Sequence, residues 1–154
     1  MSLSVGDKAP GFSLPSKPGE QVDVGALIGQ EKVVLLFFPL AFSSVCTAEA
    51  CAIAEDWSTW EAMGARVFGL SVDSPFVTDL FRRSEDLPFP MLSDFNRTVA
   101  DEYGVLYEMH GLKGVARRSA FVIDASGRIS YAWSTDNAGD MPPFEAIKTA
   151  VRAA

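Results

Sequence analysis

Apolar residues in the first half of the chain occur either in continuous runs or at helical spacing. Residues 33–38 form one such run, rich in β-branched and aromatic side chains, which predicts a central strand buried on both faces. After a loop over residues 39–44, apolar side chains at helical spacing predict a helix that extends to about Ala62. Residues 66–72 predict the next strand. The loop and the start of the first helix therefore lie at the carboxyl end of the central strand.

The second half of the chain predicts three further helices and a closing hairpin. Their ranges are residues 75–84, 95–103 and 142–150 for the helices, and 119–124 with 129–133 for the hairpin. Near the N-terminus, residues 10–29 are rich in proline and glycine but carry apolar side chains, which predicts a hairpin packed on the core. Strands that alternate with helices and end in a hairpin indicate an α/β fold, with a mixed central sheet flanked by helices and an N-terminal hairpin extension.

Composition and charge narrow the class of protein. A chain of 154 residues, 48% of them hydrophobic, is long enough for one substantial core, so we expect a single domain over residues 1–154. Thirteen basic and twenty acidic side chains give a net charge of −7, which disfavours nucleic acid and anionic membranes as partners because both are polyanions. The sequence lacks the roughly 18 consecutive apolar residues of a membrane span. It also lacks a basic and then apolar leader, so we expect a cytoplasmic protein.

The two cysteines are the candidate reactive groups. Cys46 follows an apolar run and two hydroxyl residues at a predicted helix start, where unpaired N–H donors and a partial positive charge stabilise a thiolate. Two cysteines in a reducing compartment do not form a disulfide scaffold, which leaves catalytic, redox or buried thiols. The single histidine, His110, and the Cys46-x4-Cys51 spacing do not make a zinc site, and no phosphate-binding glycine motif follows a strand. We therefore expect neither a metal nor a bound cofactor.

One short motif around Cys46 is specific. Pro39-x-x-x-Ser43-x-x-Cys46 resembles the Pro-x-x-x-Thr/Ser-x-x-Cys signature of the peroxiredoxins, and the predicted elements resemble the thioredoxin fold. Further segments also resemble that family, namely residues 6–14, 92–94, 103–105 and 118–124. The resemblance thus covers nearly the whole chain. It implies a thioredoxin-like fold and a thiol-dependent peroxidase, in which the Cys46 thiolate attacks a peroxide and becomes a sulfenic acid.

The resemblance also implies roles for the residues around the thiol. Arg118 is in the position of the family's pocket arginine, which stabilises the thiolate and donates hydrogen bonds to the peroxide. Arg117 would point the opposite way, because neighbouring side chains on a strand project to opposite faces. Ser43 is in the position where most members have threonine, and its hydroxyl can donate to and accept from the peroxide or, alternatively, only cap the helix. Pro39 shapes and shields the pocket.

Two residues on the predicted helix leave alternatives open. Glu49, three positions after Cys46, is either a family site residue or a solvated charge on the helix face. The Cys46-x4-Cys51 spacing resembles the bacterioferritin-comigratory-protein group, in which the second cysteine resolves the sulfenic acid as an intrasubunit disulfide. The flanking residues instead resemble the alkyl hydroperoxide reductase E group, which includes enzymes with one working cysteine.

Helix geometry bears on the role of Cys51. Five helical positions separate two Cα atoms by roughly 8.6 Å, whereas a disulfide requires about 4.4–6.8 Å. Resolution by Cys51 therefore requires local unfolding of the helix start. We favour this resolving role over the alternative, a small side chain packed on the buried side of the helix.

The resemblance implies partners as well as chemistry. The expected substrate is hydrogen peroxide or an organic hydroperoxide, thioredoxin or a glutaredoxin-like protein is the expected reductant, and a homodimer is consistent with the pairing of many relatives through loops near the active site. Two other functions remain open. A thiol–disulfide oxidoreductase usually needs Cys-x-x-Cys at the helix start, which this sequence lacks. A peroxide sensor or holdase would oxidise Cys46 once, without turnover.

Overall fold

A five-stranded sheet forms the centre of the computed structural model, which describes residues 3–154. The strands are β1 Ser13–Lys17, β2 Glu20–Asp23, β3 Lys32–Phe37, β4 Ala65–Ser71, β5 Met91–Ser93, β6 Leu106–Met109, β7 Leu112–Ala116, β8 Ser119–Ile123 and β9 Ile129–Ser134. The helices are α1 Ser44–Glu55, α2 Trp57–Ala62, α3 Pro75–Ser84, α4 Thr98–Glu102 and α5 Phe144–Ala153. The sheet has the order β5-β4-β3-β8-β9, in which β3 is parallel to β4 and antiparallel to β8. The predicted thioredoxin-like α/β fold is confirmed.

Strand β3 is the centre of both the sheet and the core, as its apolar run predicts. Residues 33–37 are fully buried. Successive side chains of a strand point to opposite faces, so Leu35 belongs to one core cluster with Phe121, whereas Leu36 belongs to the other with Cys46. The carboxyl end of β3, which precedes the site, is thus fixed by packing on both faces.

The prediction of a single helix that extends to Ala62 is wrong in one respect. The helix is interrupted at Asp56, so that two helices, α1 and α2, form instead of one. The backbone leaves the helical conformation there, with φ −109° and ψ 24°. The Asp56 carboxylate accepts hydrogen bonds from the hydroxyl of Thr59 and from the ammonium group of Lys148 on α5. Aspartate is a weak helix former, and these side-chain contacts favour a backbone conformation at Asp56 that ends the helix. As a result, α1 is a separate helix of 12 residues.

The helix predicted over residues 95–103 is shorter than expected, since α4 begins only at Thr98. Asp94 satisfies N–H groups in the first turn of α4. The buried Asp94 carboxylate accepts hydrogen bonds from the N–H groups of Val99 at 3.2 Å and Ala100 at 2.7 Å. The intervening residues form a turn instead of a first helical turn.

The hairpin β6–β7 is not predicted by the sequence pattern, which indicates a loop around His110. These two strands pair antiparallel across a tight turn at His110 and Gly111, whose φ angles are 51° and 79°. A register shift between Tyr107 and Glu108 interrupts the pairing. The short strands therefore lack the clean alternation that would reveal a hairpin in the sequence.

The remaining predicted elements are confirmed, although the strands of the N-terminal hairpin cover only residues 13–23 of the predicted 10–29, and the last helix continues to Ala153. They include the helices α3 and α5, the closing hairpin β8–β9 and the N-terminal hairpin β1–β2. In the described part of the chain, no helix has both the length and the apolar character needed to cross a membrane.

Candidate active site

Cys46 lies in the first turn of α1, just beyond the carboxyl end of β3. Its side chain is fully buried. Ser43 is the N-cap residue of α1, but its side chain does not cap the helix. The Ser43 hydroxyl instead donates a hydrogen bond to the carbonyl oxygen of Leu40 at 3.0 Å. The helix-cap alternative for this side chain is therefore wrong, and its oxygen retains the capacity to accept hydrogen bonds.

Arg118 brings a buried positive charge to the Cys46 sulfur. It lies in the short connection between β7 and β8, and the residue is 1% exposed. Its Nη1 donates to Cys46 Sγ at 3.4 Å, and its Nη2 donates to the carbonyl oxygen of Ala138 at 2.9 Å. The side chain of Arg117 points elsewhere and pairs with Asp136. The two arginines diverge as predicted, although they lie in a connection between strands and not within one.

Glu49 is the third member of this buried group. It lies three positions after Cys46 on α1, is fully buried, and accepts a hydrogen bond from Arg118 Nη1 at 2.7 Å. Burial raises the pKa of Glu49 to about 7, although the Arg118 charge acts in the opposite direction. The second carboxylate oxygen of Glu49 has no hydrogen-bond partner among residues 3–154. The interpretation of Glu49 as a solvated helix-face charge is therefore wrong.

A small pocket of about 290 Å³ opens next to this buried group. Its walls come from the loop after β3, the start of α1, the turn of the β6–β7 hairpin and the loop after β9. The lining residues are Pro39, Ser43, Ser44, Val45, Met109, His110, Arg118, Ala138 and Gly139. Pro39, Ser43 and Arg118, three of the predicted site residues, therefore share one pocket. Met109 and His110 line the pocket because the β6–β7 hairpin places them there. This hairpin was not predicted from the sequence, so neither residue was predicted to line the site.

A larger groove of about 560 Å³ lies between the N-terminal hairpin and α3. Its lining includes Leu14, Phe76 and Phe95, and none of the described residues that line it carries a titratable side chain. The groove shares no lining residue with the pocket at Arg118. The groups that support thiol chemistry therefore lie at the smaller pocket.

Cys51 lies on α1 but is not brought together with Cys46. Both cysteines are free, and the intact helix separates their Cα atoms by roughly 8.6 Å. The Cys51 side chain is partly exposed, and its sulfur lies 3.9 Å from a carboxylate oxygen of Glu85, at the end of α3. Burial, followed by the negative charges of Glu85 and Glu55, raises the pKa of the Cys51 thiol. Cys51 is thus held as a protonated thiol on a face of α1 that borders an acidic side chain.

Comparison with known proteins shows the family to which the chain belongs. Residues 5–132 match the model of the AhpC/TSA family. A putative peroxiredoxin Bcp from Coxiella burnetii is 39% identical over 137 residues, which cover 86% of this chain and 89% of the relative. Peroxiredoxin Bcp from Escherichia coli is 36% identical over 134 residues, which cover 85% of each chain.

Solved structures show the same relationship. The crystal structure of peroxidoxin BcpB from Mycobacterium tuberculosis is similar with a TM-score of 0.86 and 28% identity, covering 98% of this chain and 97% of that one. A peroxiredoxin-like protein from Aquifex aeolicus gives a TM-score of 0.88 and 27% identity, covering 99% and 88% of the two chains. The chain therefore belongs to the AhpC/TSA family and is a peroxiredoxin, a thiol-dependent peroxidase.

Proposed function

We propose that Cys46 is the residue that reduces hydrogen peroxide or an organic hydroperoxide in this enzyme. The observation that carries the proposal is the 3.4 Å contact between the Cys46 sulfur and the buried guanidinium of Arg118. A fixed positive charge in a site shielded from water favours the thiolate over the thiol, and the thiolate is the nucleophilic form. We place a small peroxide in the pocket that Arg118 lines, because the same guanidinium contacts the Cys46 sulfur.

The proposed reaction is a two-electron oxidation of sulfur. The Cys46 thiolate attacks one peroxide oxygen, an S–O bond forms, and the O–O bond breaks. The departing oxygen takes the electron pair and a proton and leaves as water or an alcohol, while Cys46 becomes a sulfenic acid. Arg118 stabilises the negative charge that develops on the departing oxygen.

Ser43 and Pro39 have supporting roles in this proposal. Because the Ser43 hydroxyl donates its proton to the Leu40 carbonyl, its oxygen is available to accept a hydrogen bond from the O–H of the peroxide. Pro39 has no N–H group that would compete for the substrate, and its fixed φ shapes the wall that it contributes.

Cys51 then resolves the sulfenic acid in our proposal. The Cys51 thiol attacks the oxidised sulfur, a disulfide forms and water leaves. This step requires α1 to unwind, and the scarcity of large buried side chains on α1 lowers the cost of unwinding. Ile53 is the only large aliphatic side chain among the buried residues of α1, and the break at Asp56 allows α1 to unwind while α2 stays in place. The alternative is a one-cysteine enzyme whose sulfenic acid an external thiol resolves.

The intact mass of the reduced protein after one equivalent of hydrogen peroxide separates these alternatives. Dimedone is added to trap any sulfenic acid. Under the proposal the protein loses two hydrogen atoms and carries no dimedone, because the disulfide forms first. A dimedone adduct that persists in the unsubstituted protein would show that Cys51 does not resolve Cys46, and that an external thiol must do so.

Steady-state turnover separates the enzyme from a peroxide sensor or holdase. We expect continuous consumption of peroxide when thioredoxin, or a glutaredoxin-like protein, and its reducing system are supplied. A sensor would instead consume one equivalent and stop.

We propose a cytoplasmic location, since such reductants operate in a reducing compartment. A homodimer through the active-site loop is also proposed, supported by the 48% exposure of Phe42 in that loop.

Glu85→Gln is expected to make Cys51 more reactive. The substitution removes the negative charge beside the thiol, which lowers the pKa of Cys51 and increases its thiolate fraction roughly twofold to tenfold at a given pH. The measurement is the rate of alkylation by iodoacetamide in a Cys46→Ser background, where Cys51 is the single thiol. Asp86→Asn removes an adjacent charge that does not contact Cys51, and should leave the rate unchanged. Equal rates for both substitutions would contradict the role assigned to Glu85.

A further inference from the structure

The loop over residues 39–43 connects β3 to α1 and contributes one wall of the pocket. The N–H of Ala41 donates to Asp73 Oδ2 at 2.7 Å. Among residues 3–154, this is the only hydrogen bond that joins the loop to a segment other than α1. The Phe42 ring also packs edge-on against Phe81 of α3, with 5.1 Å between the ring centroids. A single carboxylate therefore provides the polar attachment of this wall.

Asp73 is itself fixed by the strands β4 and β5. Its Oδ2 accepts a second hydrogen bond, from the hydroxyl of Ser71 at 2.7 Å, and its carbonyl oxygen accepts one from the hydroxyl of Ser93 at 2.5 Å. Ser71 and Ser93 are the last residues of these two strands, and both are buried. Because β3, β4 and β5 are parallel, their carboxyl ends lie at one edge of the sheet. The sheet thus presents a preorganised acceptor to the loop that follows β3.

The backbone of the loop is strained at Phe42. Its φ is 67°, in the left-handed region that residues other than glycine rarely adopt. Such a conformation persists only where neighbouring contacts hold it. Here the hydrogen bond from Ala41 to Asp73 lies directly before the strained residue, and the contact of its own ring with Phe81 is the other restraint. Loss of the hydrogen bond therefore lets the loop relax away from the pocket.

We propose that Asp73 is a positioning residue for the peroxidase reaction. Its carboxylate holds residues 39–43 in the arrangement that lines the pocket. Unwinding of the start of α1 displaces the loop that precedes it, so the same hydrogen bond breaks before Cys46 can meet Cys51. Asp73 thus favours the first oxidation and opposes disulfide formation. This inference rests on the roles proposed above for the two cysteines.

The first test follows both steps after one addition of hydrogen peroxide to the reduced protein. Rapid acid quenching and intact mass distinguish the thiol, the sulfenic acid and the disulfide. Asp73→Ala should slow the oxidation of Cys46 about threefold to tenfold, because the pocket wall is no longer held. It should accelerate disulfide formation roughly tenfold, because the hydrogen bond to the carboxylate no longer opposes unwinding. Disulfide formation that is unchanged or slower in Asp73→Ala would overturn the proposal.

Two further variants separate positioning from a general loss of stability. Asp73→Asn keeps an acceptor oxygen for the Ala41 N–H, so it should restore both rates to within about threefold of the parent. Asp79→Ala is the matched control, since Asp79 bonds to Arg83 on its own helix and does not contact the loop. It should leave both rates unchanged. Accelerated disulfide formation in Asp79→Ala, equal to that in Asp73→Ala, would contradict a specific role for Asp73.

Hydrogen exchange of the reduced protein tests the loop without peroxide. Amides of residues 39–50 should exchange roughly tenfold faster in Asp73→Ala than in the parent, whereas amides of residues 33–37 in β3 should be unaffected. Equal exchange of residues 39–50 in both proteins would overturn the proposal. Failure of the roles proposed for Cys46 and Cys51 would be seen separately, as a parent protein that forms neither sulfenic acid nor disulfide while the variant loop still exchanges faster.

Discussion

Replacing Cys46 with serine is expected to abolish peroxide reduction. A serine hydroxyl is not ionised at neutral pH and cannot be oxidised to an equivalent of the sulfenic acid, so neither the attack nor the intermediate is available. We expect the rate to fall on the order of a thousandfold or more, to the background of the reductant alone. The measurement is peroxide consumption at steady state with a thiol reductant.

Cys51→Ser is the matched control for this substitution. It removes the other cysteine of the chain, which is partly exposed on the same helix, and leaves Cys46 and Arg118 intact. The first oxidation by peroxide should proceed at the parental rate, because Cys51 acts only after the sulfenic acid has formed. The roles that we assign would be reversed by two results together. The Cys46→Ser protein would keep its peroxidase activity, and the Cys51→Ser protein would lose the first oxidation.

The second large effect is expected for Arg118→Ala, which should slow the oxidation of Cys46 by about 10²–10³-fold. The variant loses the positive charge beside the sulfur and the donors directed at the departing oxygen. The fold should tolerate the change. Removal of the Arg118 charge raises the pKa of Glu49 further, so this buried residue becomes neutral and does not remain as an unpaired charge. Stopped-flow measurement of the single oxidation step, with thermal unfolding alongside, separates catalysis from stability.

Arg117→Ala provides the comparison within the same connection. This neighbouring arginine pairs with Asp136 and does not contact the thiol. Its removal should change the oxidation rate by less than about threefold, as expected for a surface ion pair. Arg118→Lys should lie between the two alanine variants, because lysine keeps the charge but not the planar fork. Similar losses for both alanine variants would indicate a general effect of charge and not a specific role for Arg118.

The parts of the fold that depend on local signals could be predicted from the sequence. Residues 33–38 combine apolar character with β-branched side chains, so the buried central strand follows from composition alone. Pro75 fixes the beginning of α3, and its first turn is satisfied by the Ser74 side chain, which accepts from the N–H of Val77.

The parts that were missed depend on contacts between distant segments. The break between α1 and α2 reflects the attraction of Asp56 to Lys148, 92 positions away in the sequence. The β6–β7 hairpin is held by pairing across an irregular register. Neither feature leaves a periodic signal in its own segment, so no local pattern could indicate it.

The same distinction holds for the candidate site. Pro39, Ser43 and Cys46 lie within one motif, so their spacing was visible in the sequence. Glu49 was also on the expected helix, but its burial against Arg118 depends on a segment 69 positions away. The outer wall of the pocket, at Met109 and His110, depends on the hairpin and was not predicted.

The most direct test of the account is the intact mass of the Cys51→Ser and Cys46→Ser proteins after one equivalent of hydrogen peroxide in the presence of dimedone. Each variant has a single thiol, so an adduct identifies the sulfur that reacts. The account predicts a dimedone adduct on the Cys51→Ser protein, which retains Cys46 beside Arg118, and none on the Cys46→Ser protein. An adduct only on the Cys46→Ser protein would contradict the assignment of Cys46 as the peroxide-reducing residue.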